Sequence, residues 1–423
     1  MTKAICRKSE NSLSLSNMEN VTTSKHDVSR GRRTLGICGG AHCLHDGFTD
    51  AIYVLLPIWR DALGLSLVQL GLLKSISSAA LAGFQLPASF LAERFGAKAI
   101  LALGTIVAGI GYLLSGFAGG FMGLALALLV IGGGCAVQHP LSSGLVADAY
   151  RNGPRRAALG IYNFTGDLGK MILPTSVALG IAFVGWRASS ITVGLLGLVG
   201  GVLVWLILRR LEAYDVAPTE DQLKPDNAVK GWGIRDRVGF SLLSIVGLLD
   251  TATRYAFLSF LPILLVDTKD AAIESVGFAM TLVFAGGAAG KFACGLLAER
   301  LGIIRTVVLT EILTGASILV LLFLPLLPAL TLLPLIGIAL NGTSSVLYGT
   351  VSEFVDDKRQ ARAFGLFYTV LIASGAISPI LFGAVGDAMG VEYSLAFVSI
   401  MAVSIIALCP MLSSKIPGRL VGE

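Results

Sequence analysis

Apolar residues occur in continuous runs of about twenty from Leu35 to near the end of the chain, separated by short polar segments. A helix of that length crosses a hydrocarbon core of about 30 Å. The runs do not alternate with polar residues, which excludes an outer-membrane barrel. Twelve spans are predicted and are numbered 1 to 12 in chain order: 35–59, 66–91, 98–118, 121–147, 157–183, 186–208, 239–266, 272–297, 304–324, 329–351, 361–386 and 391–413.

The polar segments divide the chain into two halves of six spans each. The N-terminal segment lacks the apolar core of a secretory signal, and translation could start at Met1 or at Met18. The predicted organisation is a disordered cytoplasmic tail (1–34), an N-terminal six-helix bundle (35–208), a charged cytoplasmic linker (209–238), a C-terminal six-helix bundle (239–413) and a short cytoplasmic tail (414–423).

The two halves repeat each other at an offset of 205 or 206 residues. Leu-Ala-Glu-Arg-Phe-Gly at 91–96 recurs as Leu-Ala-Glu-Arg-Leu-Gly at 297–302. The pair Leu56-Pro57 recurs as Leu261-Pro262, and the landmarks Gly160 and Pro174 recur as Gly365 and Pro379. The fold class predicted is therefore an all-α membrane protein with twelve transmembrane helices in two pseudo-symmetric six-helix bundles.

Composition and charge agree with a membrane protein. Hydrophobic residues make up 54% of the 423 residues, charged residues only 14%, and the mean hydropathy is +0.79. A water-soluble enzyme is excluded on this composition. If both termini are cytoplasmic, 25 of the 32 Lys and Arg residues lie on the cytoplasmic side and three on the other. That imbalance follows the positive-inside rule and predicts a multi-pass protein of a bacterial-type inner membrane.

Residues 35–413 resemble the major facilitator superfamily, whose loop between the second and third helices reads Gly-x-x-x-Asp-Arg-x-Gly-Arg-Arg. The matching residues are Glu93, Arg94 and Gly96 in the first half and Gly295, Glu299, Arg300 and Gly302 in the second. The departures are Ser89 for a glycine, glutamate for aspartate, and Ala97 and Ile303 for an arginine. The resemblance implies a cytoplasmic gate of Glu93, Arg94, Glu299 and Arg300. The alternative is that these loops only anchor the orientation.

Residues 41–174 also resemble the fosmidomycin-resistance-type exporters of that superfamily. The shared motifs are Ala41-His42, Asp46, Leu56-Pro57, Gly64-Leu65-Ser66, Gln69-Leu70-Gly71, His139-Pro140 and Gly166-Asp167-Leu168-Gly169, with Asp167 where asparagine is expected. This resemblance implies a proton-coupled exporter, an antiporter, of a drug-like or small polar or anionic metabolite.

Charged side chains at the middle of a membrane helix cost about 2.5–3.5 kcal/mol each, so each needs a partner, a wet cavity or a function. The eight such residues are Asp46, Asp50, Lys74, Asp167, Lys170, Asp250, Arg254 and Lys291.

In span 1, a helical wheel places His42, His45, Asp46, Asp50 and Tyr53 on one side. Asp46 or Asp50 is the predicted proton-exchanging carboxyl, because an acid in an apolar cavity can exchange protons near neutral pH. The alternative is that Asp46 and Asp50 have a structural role and cap or pair with span 4 or span 5.

Asn163, Asp167 and Lys170 share a face of span 5, where Asp167 and Lys170 form an internal ion pair or contact the cargo. In span 4, His139 follows three glycines and precedes Pro140, which predicts a bend near the cavity. The residues predicted to line the proton or substrate pathway are His42, His45, Asp46, Asp50, His139, Asn163, Asp167, Lys170, Asp250, Arg254 and Lys291.

Three other functions remain open at this point. An importer of an organic anion would use the same residues. A transition-metal transporter would use Cys38 with His42 and Cys135 with His139, each pair one helical turn apart. The third open function is a membrane sensor that does not transport.

No nucleotide-binding or hydrolase motif occurs, so we expect no cofactor, no resident metal, no enzymatic activity and no nucleic-acid partner. The expected partners are a small-molecule substrate, protons and the lipid bilayer, and we expect a monomer.

Overall fold

The computed structural model describes residues 2–151, 153–211, 233–356 and 360–416, with side chains from Ser29 onward except at residues 360–362. The helices are Thr2–Leu63, Leu67–Phe95, Ala97–Phe117, Phe121–Cys135, Gln138–Ala149, Arg155–Arg210, Arg237–Lys269, Ile273–Leu301, Ile303–Phe323, Leu326–Thr350, Gln360–Met389, Val391–Ser404 and Cys409–Ser413. Short 3₁₀ segments, Val351–Phe354 and Ile405–Leu408, continue two of them.

The predicted twelve spans are accounted for in these helices. Ten helical segments of the described chain are long and apolar enough to cross a membrane. One of the ten, Arg155–Arg210, bends at Gly185, where φ is 78°, and so contains both span 5 and span 6. The second half of Thr2–Leu63 supplies span 1. The fold class predicted from the sequence is confirmed.

Two features of the helices bear on the predicted boundaries. The first helix, Thr2–Leu63, includes residues 2–34, for which the sequence predicts a disordered cytoplasmic tail, and this stretch contains no proline. Span 4 is broken at Ala136 and Val137 into two helices, which confirms the bend expected beside His139. Most of the predicted linker, and residues 417–423 of the final tail, lie outside the described residues.

The backbone repeats between the halves as the sequence does. Gly96 and Gly302 both end a helix with positive φ, 88° and 84°, and both donate their N–H to an alanine carbonyl four residues earlier. A residue with a Cβ rarely adopts this conformation, so the two loops share one turn geometry. Gly185 and Gly390 form a second such pair, with φ of 78° and 107°. Gly64 and Asp270 form a third, with φ of 64° and 49°.

The buried apolar side chains form three clusters, and their arrangement shows where the halves meet. We call the face at the ends of spans 1 and 7 the Arg60 side, and the face at the ends of spans 2 and 8 the Glu93 side. The largest cluster joins both halves on the Arg60 side and includes Trp59 and Leu67 of the first half and Leu261 and Leu264 of the second. On the Glu93 side, the clusters of the N-terminal and C-terminal halves are separate. The hydrophobic effect therefore holds the halves together on the Arg60 side.

Polar contacts between the halves also lie on the Arg60 side. The Arg60 guanidinium donates two hydrogen bonds to the Asp267 carboxylate, each of 2.5 Å. The hydrogen bond to Asp267 raises the pKa of Arg60, so the guanidinium stays charged at every physiological pH. Asp387 accepts hydrogen bonds from the backbone N–H groups of Leu67 (2.7 Å) and Val68 (3.0 Å), which caps the start of span 2 from the opposite half.

The Glu93 side is open along the same helices. A Cβ atom added to Gly71 of span 2 would lie 2.2 Å from the carbonyl oxygen of Pro379 in span 11, whereas one added to Gly83, three turns further along span 2, would meet nothing within 4 Å. A Cβ atom added to Gly365 of span 11 would also meet nothing within 4 Å. The two helices therefore touch at Gly71 and Pro379, toward the Arg60 side, whereas Gly83 and Gly365, toward the Glu93 side, have open space beside them.

We expect Glu274 and Glu299, at opposite ends of the helix Ile273–Leu301, to react from opposite sides of the membrane. Both are exposed, so a cysteine at either position is accessible to a membrane-impermeant thiol reagent. With the native cysteines replaced, E274C should be labelled in intact cells and E299C only after permeabilisation, since the charge imbalance places the Glu93 side in the cytoplasm. Labelling of both from outside would contradict this orientation.

Candidate functional site

Three titratable side chains from spans 1, 4 and 5 meet around the carboxylate of Asp46. Its Oδ2 lies 3.2 Å from Nζ of Lys170 and 3.4 Å from Nε2 of His42, and its Oδ1 lies 3.7 Å from Nε2 of His139. The Asp46 side chain is 9% exposed, whereas that of His139 is 51% exposed. The buried acid therefore has one half-exposed basic neighbour.

Glycines bring spans 1 and 5 close enough to form this cluster. A Cβ on Gly169 of span 5 would lie 2.0 Å from the carbonyl oxygen of Cys43, and one on Gly166 would lie 2.6 Å from His42 and 2.7 Å from Asp46. Because these positions lack side chains, the helix backbones pack directly against each other. His139 reaches the same point because the break in span 4 precedes it by two residues.

His42 lies between two acceptors. Its Nδ1 is 2.8 Å from the carbonyl oxygen of Tyr162, and its ring stacks on that of Tyr162 at 4.2 Å. A carbonyl oxygen only accepts, so Nδ1 carries a proton. The Nε2 atom then faces Asp46 with a lone pair or, in the imidazolium, with a second N–H. The structure therefore places one ring nitrogen of His42 against the Tyr162 carbonyl and the other against the Asp46 carboxylate.

Asp167 and Lys291 connect the halves next to this cluster. Lys291 Nζ of span 8 donates a 2.6 Å hydrogen bond to Asp167 Oδ1 of span 5. Lys170, predicted as the partner of Asp167, lies 3.8 Å from the same oxygen. It is closer to Asp46, so Lys170 stands between two carboxylates rather than in an isolated pair.

Asp50 and Lys74 lie one turn further toward the Arg60 side and are both buried. Lys74 Nζ donates to the carbonyl oxygen of Thr49 at 3.3 Å and lies 4.4 Å from the centre of the Tyr53 ring. Asp50 makes no ion pair within 4.0 Å among residues whose side chains are described, but it lies in the field of Lys74, Lys170 and Arg254.

In the C-terminal half, Asp250 and Arg254 of span 7 are linked through Ser344 of span 10. The Ser344 hydroxyl donates to Asp250 Oδ2 at 2.7 Å and accepts from Nη1 of Arg254 at 3.3 Å. A second buried acid, Glu311 of span 9, lies nearby and was missed in the sequence analysis. Its position in the middle of an apolar run was a sufficient signal, since the same criterion identified the other intramembrane charges.

Several predicted site residues are not part of these clusters. His45 is buried, and its Nε2 bonds the Thr105 hydroxyl of span 3 at 2.8 Å, away from Asp46. Asn163 is exposed one turn from Asp167. The four residues predicted as a gate are exposed, and in the described part of the chain no ion pair joins them: Glu93, Arg94, Glu299 and Arg300. Their gating role stays a prediction.

The cysteines of the metal hypothesis do not join the histidines. Cys135 Sγ lies 3.9 Å from the carbonyl oxygen of His45, and Cys38 contacts Ser142. The ligand atoms that do converge, within 4.8 Å of one another, belong to His42, Asp46 and His139. Lys170 competes for the same carboxylate oxygen, which opposes binding of a dication. The group of converging ligand atoms therefore does not include the two cysteines, and metal transport through the Cys–His pairs stays a prediction.

Two helical bundles that are closed on one face, open on the other, and contain buried charges between them define a membrane transporter. A sequence model of the Major Facilitator Superfamily matches residues 39–243 and 243–419. The chain belongs to the Major Facilitator Superfamily.

Relatives and solved structures agree with this family. The chain is 26% identical over 256 residues to a probable L-galactonate transporter of Escherichia coli, an alignment that covers 57% of this chain and 56% of that protein. It is 24% identical to the probable sulfoacetate transporter SauU of Cupriavidus necator, covering 88% of this chain and 92% of the relative. A bacterial homolog of the human lysosomal transporter Spinster, solved inward-facing and occupied, has the same fold with a TM-score of 0.76 at 17% identity, covering 90% of this chain and 96% of that one.

Proposed function

We propose that the chain is a proton-coupled symporter of a small organic anion in the cytoplasmic membrane, with both termini cytoplasmic. The observation that carries the proposal is the position of Lys170, whose Nζ lies 3.2 Å from Asp46 and 3.8 Å from Asp167. The names of the two relatives, which both refer to acids, support an anionic substrate.

Protonation of Asp46 is the coupling step in this proposal. While Asp46 is ionised, its carboxylate forms an ion pair with the ammonium group of Lys170. A proton that arrives through His139 neutralises Asp46 and leaves Lys170 free to bind a carboxylate or sulfonate of the substrate. Proton and anion then bind together and not in competition, which is the requirement for symport. The half-exposed Lys291 supplies a second cation from the other half.

The proposed symport differs from the efflux by antiport that the resemblance to exporters implies. An antiporter needs substrate and proton to compete for one group, as a cationic drug would compete for Asp46. An anion has no such competition, since the proton on Asp46 creates its site. The narrower resemblance to fosmidomycin-resistance-type exporters, and the monomeric state, stay predictions.

The sign of the pH change in proteoliposomes tests the proposal. With an internal pH dye and equal starting pH, addition of a sugar acid or a sulfonated acid outside should acidify the lumen, because each anion brings a proton in. Lactose and a lipophilic cation, tested at the same concentration, should cause no change. A lumen that becomes alkaline would establish antiport. No pH change with any acid of a panel, in vesicles that bind those acids, would remove the proton from the mechanism.

A further inference from the structure

We propose that Tyr368 of span 11 and Tyr348 of span 10 form a stacking platform for a six-membered ring in the substrate, so that the preferred substrate is a cyclic organic anion. The inference rests on the anion transport proposed above and adds the chemistry of the uncharged part of the substrate. The platform belongs to the C-terminal half, whereas the charged groups around Asp46 belong to the N-terminal half.

The two tyrosine rings are stacked, and one of them is open to a ligand. Their centroids lie 4.8 Å apart and their planes differ by 20°. Tyr348 also packs edge-to-face against the buried Phe367, with centroids 5.8 Å apart. Tyr348 is therefore held by two other rings. Tyr368, in contrast, is 44% exposed and is the accessible ring of the group.

The position of Tyr368 around span 11 directs it to the gap between the halves and not to the lipid. At 100° per residue, Gly375 and Gly386 lie within about 20° of Tyr368 on this helix. A Cβ atom on Gly375 would lie 2.8 Å from the Tyr255 ring of span 7, and one on Gly386 would lie 2.5 Å from Leu67 of span 2. The same face of span 11 continues past Tyr368 into the open space between spans 2 and 11.

A cation for the carboxylate of a substrate lies beside the platform. Ser345 precedes Tyr348 by about one helical turn, and its hydroxyl donates a 3.3 Å hydrogen bond to the backbone carbonyl of Lys291 in span 8. The Lys291 side chain is 43% exposed, and its ammonium group bonds Asp167 of the other half. Because one turn of a helix rises about 5 Å, a substrate whose carboxylate reaches Lys291 can lay its ring against Tyr368.

An exposed aromatic ring selects the shape of the substrate. Its apolar, electron-rich face accepts a second aromatic ring or the C–H face of a pyranose. An open-chain acid offers no rigid face and loses more conformational freedom on binding. Aromatic acids and pyranuronic acids share the required chemistry, namely a six-membered ring that carries a carboxylate.

Equilibrium binding to the purified full-length protein in lipid nanodiscs, at one slightly acidic pH, tests the platform without a transport assay. The probes are the monoanions glucuronate, benzoate and open-chain gluconate, together with the neutral ring compounds methyl glucoside and benzyl alcohol. The wild type should bind at least one of the two cyclic acids about 2- to 10-fold more tightly than gluconate, and the tighter one identifies the kind of ring.

Substitutions separate stacking from a structural effect. Y368A should remove the preference for the cyclic acid, whereas Y368F keeps the ring and should keep the preference. Y368L replaces Y368A if the alanine variant does not fold. Y393A is the matched control and should bind all probes as the wild type does, because Tyr393 is 53% exposed but lies at the start of span 12 on the Arg60 side.

The outcomes distinguish this platform from the proposed anion transport. Equal binding of cyclic and open-chain acids by the wild type would overturn the platform. An equal loss of gluconate and cyclic acids in Y368A or Y368L would also overturn it, because Tyr368 would then have only a structural role. Binding of a neutral ring compound that depends on Tyr368, with no binding of any acid, would support the platform and refute the anion. No binding of any probe would overturn both.

Discussion

The substitution D46N is expected to abolish proton-driven accumulation of substrate while leaving exchange of substrate across the membrane intact. An asparagine keeps the shape of the protonated acid but cannot ionise, so Lys170 is permanently released for the anion. The carrier then binds and moves substrate without the proton cycle. At one proton per anion, a gradient of one pH unit is about 1.36 kcal/mol and drives about tenfold accumulation, and D46N should lose all of it.

The measurement compares two assays on the same proteoliposomes. With an inward proton gradient, the internal substrate concentration in D46N vesicles should rise no higher than the external one, and counterflow exchange at equal pH should persist. D270N is the matched control, because Asp270 is exposed in a left-handed turn that asparagine also tolerates. Gradient-driven accumulation by D46N equal to that of the wild type would exclude Asp46 as the coupling group.

The substitution G71A should hold the transporter open on the Arg60 side. Its Cβ would lie 2.2 Å from the carbonyl oxygen and 2.6 Å from the carbonyl carbon of Pro379, which are backbone atoms that cannot rotate away. Overpacking of this kind costs about 1–3 kcal/mol. The cost applies only to the state in which spans 2 and 11 touch, so a shift of about 5- to 150-fold in population toward the other state is expected.

The change is measured with spin labels on Asp61 and Asp270, which are exposed on the Arg60 side in opposite halves. In G71A the distance between the labels should lengthen and the transport rate should fall. G83A is the matched control on the same helix, where a Cβ meets nothing within 4 Å, and it should leave both unchanged. An unaltered distance together with a normal rate in G71A would show that close contact here is not required.

The fold was predictable because its signals are local. Twenty-residue apolar runs and the repeated motif at residues 91–96 and 297–302 need no knowledge of packing. The bend in span 4 was predictable for the same reason, since the three glycines and Pro140 that mark it are adjacent in the sequence.

The site was predictable only as a set of candidates. A buried charge is visible in the sequence, but its partner is set by the packing of distant helices. Spacing predicted that Lys170 pairs with Asp167 or contacts the cargo. The fold places Lys170 3.8 Å from Asp167 but 3.2 Å from Asp46, and it brings Lys291 to 2.6 Å from Asp167. His45 belongs to the same helical face as Asp46 but bonds Thr105, because one face of span 1 contacts two neighbours. These differences arise because the packing of helices that are distant in the sequence decides which side chains meet.

The turns shared by the two halves have an evolutionary consequence. A left-handed residue recurs at Gly64 and Asp270, at Gly96 and Gly302, and at Gly185 and Gly390, although His42 and His139 have no histidine counterparts in the second half. After the ancestral duplication, the backbone was retained in both copies while the buried chemistry diverged. Selection can therefore alter the cargo through side chains of one copy, and the other copy preserves the mechanical framework that both inherited.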